Sequence, residues 1–232
     1  MTQLAPVYNS KVECPVCKNT FEVGKVRSKF VRSRGQDTDL RPLYEGENPL
    51  FYDAIVCPSC GFANIGLSFE DLTLHDFKAV LEKISPKWTQ RDFSGPRDVD
   101  QAIEAYKLAL LNIRIRQGAA SELAKACLRL SWMYRIKGDS VLDHKFTEFA
   151  FTYYQDAYMK EHLPVGKLDE FTVMYMIGEL ALRLEKYQDS LTWFSRLMSE
   201  AMRPENRPRV PPNLLDMARD QVQLAKDGLK GV

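Results

Sequence analysis

Residues 13–19 read Glu-Cys-Pro-Val-Cys-Lys-Asn and residues 56–62 read Val-Cys-Pro-Ser-Cys-Gly-Phe, so Cys14, Cys17, Cys57 and Cys60 form two matched Cys-x-x-Cys pairs. Two intervening residues let a tight turn aim both sulfurs at one ion, and each pair then supplies half of a tetrahedron. Proline after the first cysteine stiffens each turn. Gly61, next after the second pair, accepts the positive φ that such a turn demands. The first turn has Lys18 and Asn19 there, and asparagine enters that backbone region more easily than most residues. The spacing predicts one structural metal ion, zinc (Zn2+) by preference, with iron permitted by the same four thiolates. Four thiolates leave no open coordination position, so such an ion holds the fold and does not activate water. A thioredoxin-type redox pair is the competing reading of one Cys-x-x-Cys turn, and the matched second pair argues against it. The fifth cysteine, Cys127, sits among Leu123, Ala126, Leu128 and Leu130 and reads as core.

Outward from the cysteines, the chain up to about Phe69 is divided by Gly24, Gly35, Pro42, Gly46, Pro49 and Pro58. Val23–Val31 and Phe51–Val56 carry β-branched and aromatic residues between these breaks and are expected to be strands. Beyond Ser68 the pattern turns helical. Thr73 followed by Asp76 marks a helix start, with Leu74, Phe77, Val80, Leu81 and Ile84 at helical spacing until Pro86. Residues 87–97 read as a linker. Helices are then expected from Val99 to about Arg116 (capped by Asp98, stopped by Gly118), from Ser121 to Gly138, and from Asp139 towards Lys160. Leu168–Leu184, Tyr187–Met202 and Asn213 to about Asp227 complete them, with a proline-rich loop at 204–212. The fold class expected is α+β, mostly α. A small four-cysteine zinc-ribbon-like region (1–70) is followed by a connecting helix and linker (71–97) and a helical region (98–232).

Composition bounds the function. The 232 residues are 45% apolar and 27% charged, enough to bury a core without disulfides. Lys and Arg number 32 against 31 Asp and Glu, a net charge of +1, so no global field draws the chain to nucleic acid or membrane. Met1–Ser10 has no secretory pattern and no long apolar run follows, so a cytoplasmic protein without membrane contact is expected.

Residues 11–41 hold eight Lys or Arg against four Asp or Glu. Lys25, Arg27, Lys29, Arg32 and Arg34 crowd one strand-like segment beside Phe21 and Phe30, a pattern by which ribbons bind nucleic acid. The plainer reading has these cations offset the thiolates and pair with Asp37, Asp39 and nearby carboxylates. Asp37-Thr38-Asp39 reads as a turn cap held by Arg34 or Arg41 rather than a divalent-cation site. His75, His144 and His162 are scattered, and no HExxH, nucleophile elbow, phosphate loop or dinucleotide fingerprint is present. No catalytic role is assigned to any residue.

Ala102/Tyr106/Ala109, Ala150/Tyr154/Ala157 and Ser190/Phe194/Leu197 each set an aromatic between small or apolar residues on one helix face. Leu130-Ser131 with Tyr134 and Gly138, and Ile177-Gly178 with Ala181 and Tyr187, resemble the first helix of a tetratricopeptide repeat. Intervals of 48 and 40 residues between the matching positions exceed the roughly 34 of that repeat. The expectation is a tetratricopeptide-like stack of helical hairpins with a groove for a peptide or partner helix, and Tyr153, Tyr158 or Trp193 as candidate anchors.

Taken with the cysteine turns, "RSRGQDTDLRPLY" (32–44) and "NPLFYDAIVCPSCGFAN" (48–64) ahead of a helical tail resemble the uncharacterised bacterial domain-of-unknown-function family 2225 over nearly the whole chain. That resemblance implies a four-cysteine metal site and a helical tail, and brings no activity with it. The function expected is a metal-stabilised protein–protein interaction module without catalysis, self-association included. Nucleic-acid binding through the basic ribbon is the alternative.

Overall fold

Each cysteine turn closes an antiparallel strand pair. β1 (Val7–Glu13) and β2 (Thr20–Val26) run in register from Val7↔Val26 to Glu13↔Thr20, leaving Cys14–Asn19 as their loop. β5 (Ala54–Val56) and β6 (Ala63–Ile65) pair up to Val56↔Ala63, leaving Cys57–Phe62. Between them β3 (Arg32–Gln36) and β4 (Pro42–Glu45) form a separate hairpin with an irregularity between Ser33 and Gln36. This computed structural model describes residues 4–70 and 72–231, the side chains of Leu67 and Ser68 excepted, so the expected boundary at 70/71 falls beside a residue outside that set.

Two strand expectations need correction. The strand expected over Val23–Val31 ends at Val26. Arg27 N–H bonds back to Pro6 O and Phe30 N–H to Arg27 O, turning Ser28–Phe30 into a 3-10 turn. Of Phe51–Val56 only the last three residues are strand. Pro49–Tyr52 is a 3-10 turn, because the Asn48 side chain accepts from Leu50 N–H and Pro49 suits a helical first position. β1 itself was not legible, since its side chains are mostly exposed and show no apolar alternation.

α1 (Leu74–Lys83) starts at the reciprocal Thr73–Asp76 capping box. Of the expected face Val80 and Ile84 are buried and Phe77 is half-buried, but Leu74 and Leu81 face solvent and Ala79 and Asp76 turn inward in their place, Asp76 meeting the buried Arg116 at 3.3 Å. α2 (Val99–Arg116), α3 (Ala120–Lys137), α4 (Ser140–Lys160), α5 (Glu170–Arg183), α6 (Tyr187–Met202) and α7 (Leu214–Lys230) follow. Asp98, Asp139 and Asp169 cap α2, α4 and α5, and α2 ends on Gln117 in the left-handed region (φ 58°) one residue before the expected glycine. The chain is thus α+β and mostly α.

The helices pair as antiparallel neighbours, α3 with α4 and α5 with α6, with α7 closing the end. All nine residues of the three small–aromatic patterns are buried. Gly178 explains how closely α5 and α6 approach: a Cβ there would sit 2.8 Å from the Phe194 ring. The apolar core runs from Ala54, Val56, Ala63 and Ile65 directly into α2, α3 and α5. Residues 87–97 are mostly exposed but anchored at Trp88, Phe93 and Arg97. Phe93 and Arg97 are buried, and the Arg97 guanidinium donates to the carbonyls of Phe51 (3.2 Å), Ala54 (2.8 Å) and Phe93 (2.8 Å).

Candidate metal centre

The two loops share one hydrogen-bond pattern. Cys14 N–H bonds Asn19 O (2.9 Å) and Lys18 N–H bonds Cys14 O (3.0 Å); Cys57 N–H bonds Phe62 O (2.8 Å) and Gly61 N–H bonds Cys57 O (3.1 Å). The residue after each second cysteine is left-handed: Gly61 at φ 74° and, in the first loop, Lys18 at φ 60°. Lys18, not Asn19, carries the demand that glycine meets in the second turn.

The four sulfurs lie within 4.8 Å of one another. Two pairs cross between loops at one distance, Cys14 to Cys60 at 3.6 Å and Cys17 to Cys57 at 3.6 Å. A disulfide would need about 2.0 Å. A tetrahedral ion with metal–sulfur bonds of about 2.3 Å separates its sulfurs by about 3.8 Å, so the cage fits a metal ion. Left to themselves the thiols ionise against one another. Contact with Cys14 holds Cys57 far down, while contact with Cys57 pushes Cys14 up to about 12 and contact with Cys14 pushes Cys60 up. A cation at the centre would let all four ionise together.

Apolar walls enclose three of the cysteines. Val16, Phe21, Val23, Phe62, Phe69, Val80 and Ile84 pack with Cys14, Cys57 and Cys60, while Cys17 reaches the surface. The second loop is further clamped by groups that nothing in the cysteine spacing announces. Trp88 Nε1 donates to Pro58 O (2.7 Å), Ser85 Oγ to Cys60 O (3.1 Å), and Asn112 Nδ2, from α2, to Gly61 O (3.1 Å). The Trp88 indole lies over Gly61, where a Cβ would approach to 2.5 Å.

The other sequence candidates lie elsewhere. Cys127 is buried, and burial pushes its thiol up to about 12. His75, His144 and His162 are exposed and apart. Lys25, Lys29, Arg32 and Arg34 face solvent, and Arg34 pairs with Glu45 at 3.0 Å. Asp37 and Asp39 do not neutralise this strand as expected. Asp37 does meet Arg41 (3.2 Å), but the turn is carried away from the basic strand and seated between α3 and α5. Tyr153, Tyr158 and Trp193 are only partly exposed; Tyr158 and Trp193 pack edge to face at 5.1 Å beneath Arg196.

No helix among the described residues is long and apolar enough to cross a membrane. No curated protein and no solved structure matches the chain significantly. Residues 7–225, however, match the model of a family described as an uncharacterized protein conserved in bacteria (DUF2225), and the chain belongs to that family.

Proposed function

We propose that the cage holds zinc as a structural ion and that the protein is a cytoplasmic, non-enzymatic interaction module whose helices recognise another protein or peptide. The observation that supports it most is the bond from Asn112 of α2 to the second cysteine loop, which makes the metal site a brace for the helices. A four-thiolate ion has no position left for substrate, and thiolates persist in a reducing compartment. Protein purified without added metal is expected to carry one zinc per chain by elemental analysis and to be colourless, whereas an iron tetrathiolate absorbs in the visible. The metal-loaded full chain, used as bait, is expected to capture a defined protein from its native extract. Repeated recovery of none would end the adaptor reading.

One observation favours a second reading, nucleic-acid binding by the ribbon. Among the described residues Lys25, Lys29 and Arg32 make no ion pair, because Asp37 and Asp39 are engaged by the helices. Binding of a single-stranded oligonucleotide that weakens steeply with salt, and is lost on reversing these three charges, would establish it. No binding at low salt removes it.

A further inference from the structure

The β3–β4 hairpin behaves as an arm. Every residue of β3 is exposed, yet the tip at 37–41 enters the helical region and Asp39 is completely buried. Asp39 Oδ2 accepts from Trp132 Nε1 (2.9 Å) and Arg135 Nη1 (2.7 Å), both on α3. From α5, Arg183 Nη2 donates to Asp37 Oδ1 (2.8 Å) and Thr38 Oγ1 (2.7 Å), and Tyr175 Oη donates to Thr38 O (2.7 Å). The tip is read by side chains of two helices, as a bound peptide would be.

Both arginines divide their donors the same way. Arg135 gives Nε and Nη2 to Asp143 (2.9 and 3.2 Å) and Nη1 to the arm; Arg183 gives Nε to Glu179 (2.8 Å) and Nη2 to the arm. Each guanidinium therefore keeps a carboxylate of the helical region if the arm departs. The usual obstacle to opening a buried ion pair, a charge stranded without a partner, is absent on the receptor side. On the arm side, the aspartates pass into water.

We propose that the site formed by Trp132, Arg135, Tyr175 and Arg183 is a receptor for a short acidic Asp-x-Asp turn of a protein partner, occupied in cis by the chain's own arm. The arm's high local concentration keeps the receptor closed, and a partner engages it by supplying a competing acidic turn. This rests on the reading of the helices as a recognition surface, and names its ligand and its regulation.

The test uses the full, metal-loaded chain and a labelled synthetic peptide of residues 31–46. The variant Asp37→Asn, Asp39→Asn, which weakens the arm's hold, is expected to bind the peptide at least about tenfold more tightly than the parent chain. Adding Arg183→Gln to that variant is expected to abolish the gain, as is replacing both aspartates of the peptide by asparagine. Should the double variant lack bound metal or helical circular dichroism, Asp37→Asn alone, which spares the buried Asp39, takes its place with the same ranking expected. A folded variant that binds the peptide no better than the parent overturns the receptor. If the parent chain still captures a partner in that case, the adaptor reading stands without it.

Discussion

Arg135 Nη1 lies 2.7 Å from Asp39 Oδ2, joining residues 96 apart in sequence, one on α3 and one in the turn between β3 and β4. The two partners are not equivalent. Asp39 Oδ2 takes its short bonds from Arg135 and Trp132, with Arg183 Nε at 3.8 Å and Arg41 N–H donating to Oδ1 at 3.3 Å, whereas Arg135 also holds Asp143. Arg135→Ala leaves the fully buried Asp39 carboxylate with Arg183, 3.8 Å away, as its remaining cation among the described residues, and is expected to cost about 3–5 kcal/mol. Asp39→Asn leaves the guanidinium paired and is expected to cost about 1–2 kcal/mol. Chemical denaturation of both singles and the double variant reads this. Equal single costs, or strict additivity in the double, would contradict the asymmetry.

The metal cage invites a ligand-by-ligand test. Cys57→Ser removes a buried sulfur at the start of the clamped loop and is expected to abolish stoichiometric metal and lower the melting temperature sharply, since metal-binding energy is folding energy in small thiolate sites. Cys127→Ser, buried in the helical core, is expected to keep full metal content. Metal analysis beside a thermal melt separates the two. Full metal retention by Cys57→Ser would remove the cage from the account.

The equivalent positions after the second cysteines make opposite predictions. Gly61 has φ 74° with Trp88 against it, so Gly61→Ala is expected to destabilise by about 1–3 kcal/mol and loosen the metal. Lys18 holds a similar φ with a side chain, so Lys18→Gly is expected to stabilise by up to about 1 kcal/mol. Denaturation midpoints at saturating metal give both signs.

Asn112 supplies an α2 side chain that bonds the second loop, and it also donates to Leu108 O at 2.9 Å. Asn112→Ala leaves the Gly61 carbonyl without that donor, a loss of about 1 kcal/mol, or about fivefold. Metal transfer to a chromogenic chelator is expected to speed up by about that factor with the helices intact. An unchanged rate would mean that the bond braces only the helix.

Acid should loosen the arm. Burial works against ionising Asp37, but Arg183, the Thr38 N–H and Arg135 outweigh it and hold the carboxyl at about 2, below its ordinary 3.8. A depressed carboxylate contributes stability that is complete above the ordinary range and disappears as pH falls through the folded value. The stability difference between the parent and Asp37→Asn is therefore expected to be constant above about pH 5, to shrink below it, and to vanish as pH falls through about 2. Glu179 acts oppositely: burial raises its pKa, so it weakens the fold as pH climbs past its ordinary value. Glu179→Gln is expected to melt no lower than the parent at pH 7. A pH series of denaturation curves checks both.

What could be read from residues alone was whatever is local or periodic. Two Cys-Pro-x-Cys turns specify their own backbone and ligand direction, and Thr73–Asp76 and Asp98 specify helix starts within a single turn of chain. Small–aromatic–small spacing marked the buried faces of α2, α4 and α6, because a 3.6-residue period records burial directly. The tertiary structure alone decided which partners these elements meet. Nothing near Asp37 or Asp39 in sequence shows that their main cations lie on α3 and α5, and nothing near Gly61 shows that Trp88 and Asn112 close over it. Long-range ion pairs and clamps are chosen by how packed elements cross, and a linear pattern of charges carries no record of that crossing.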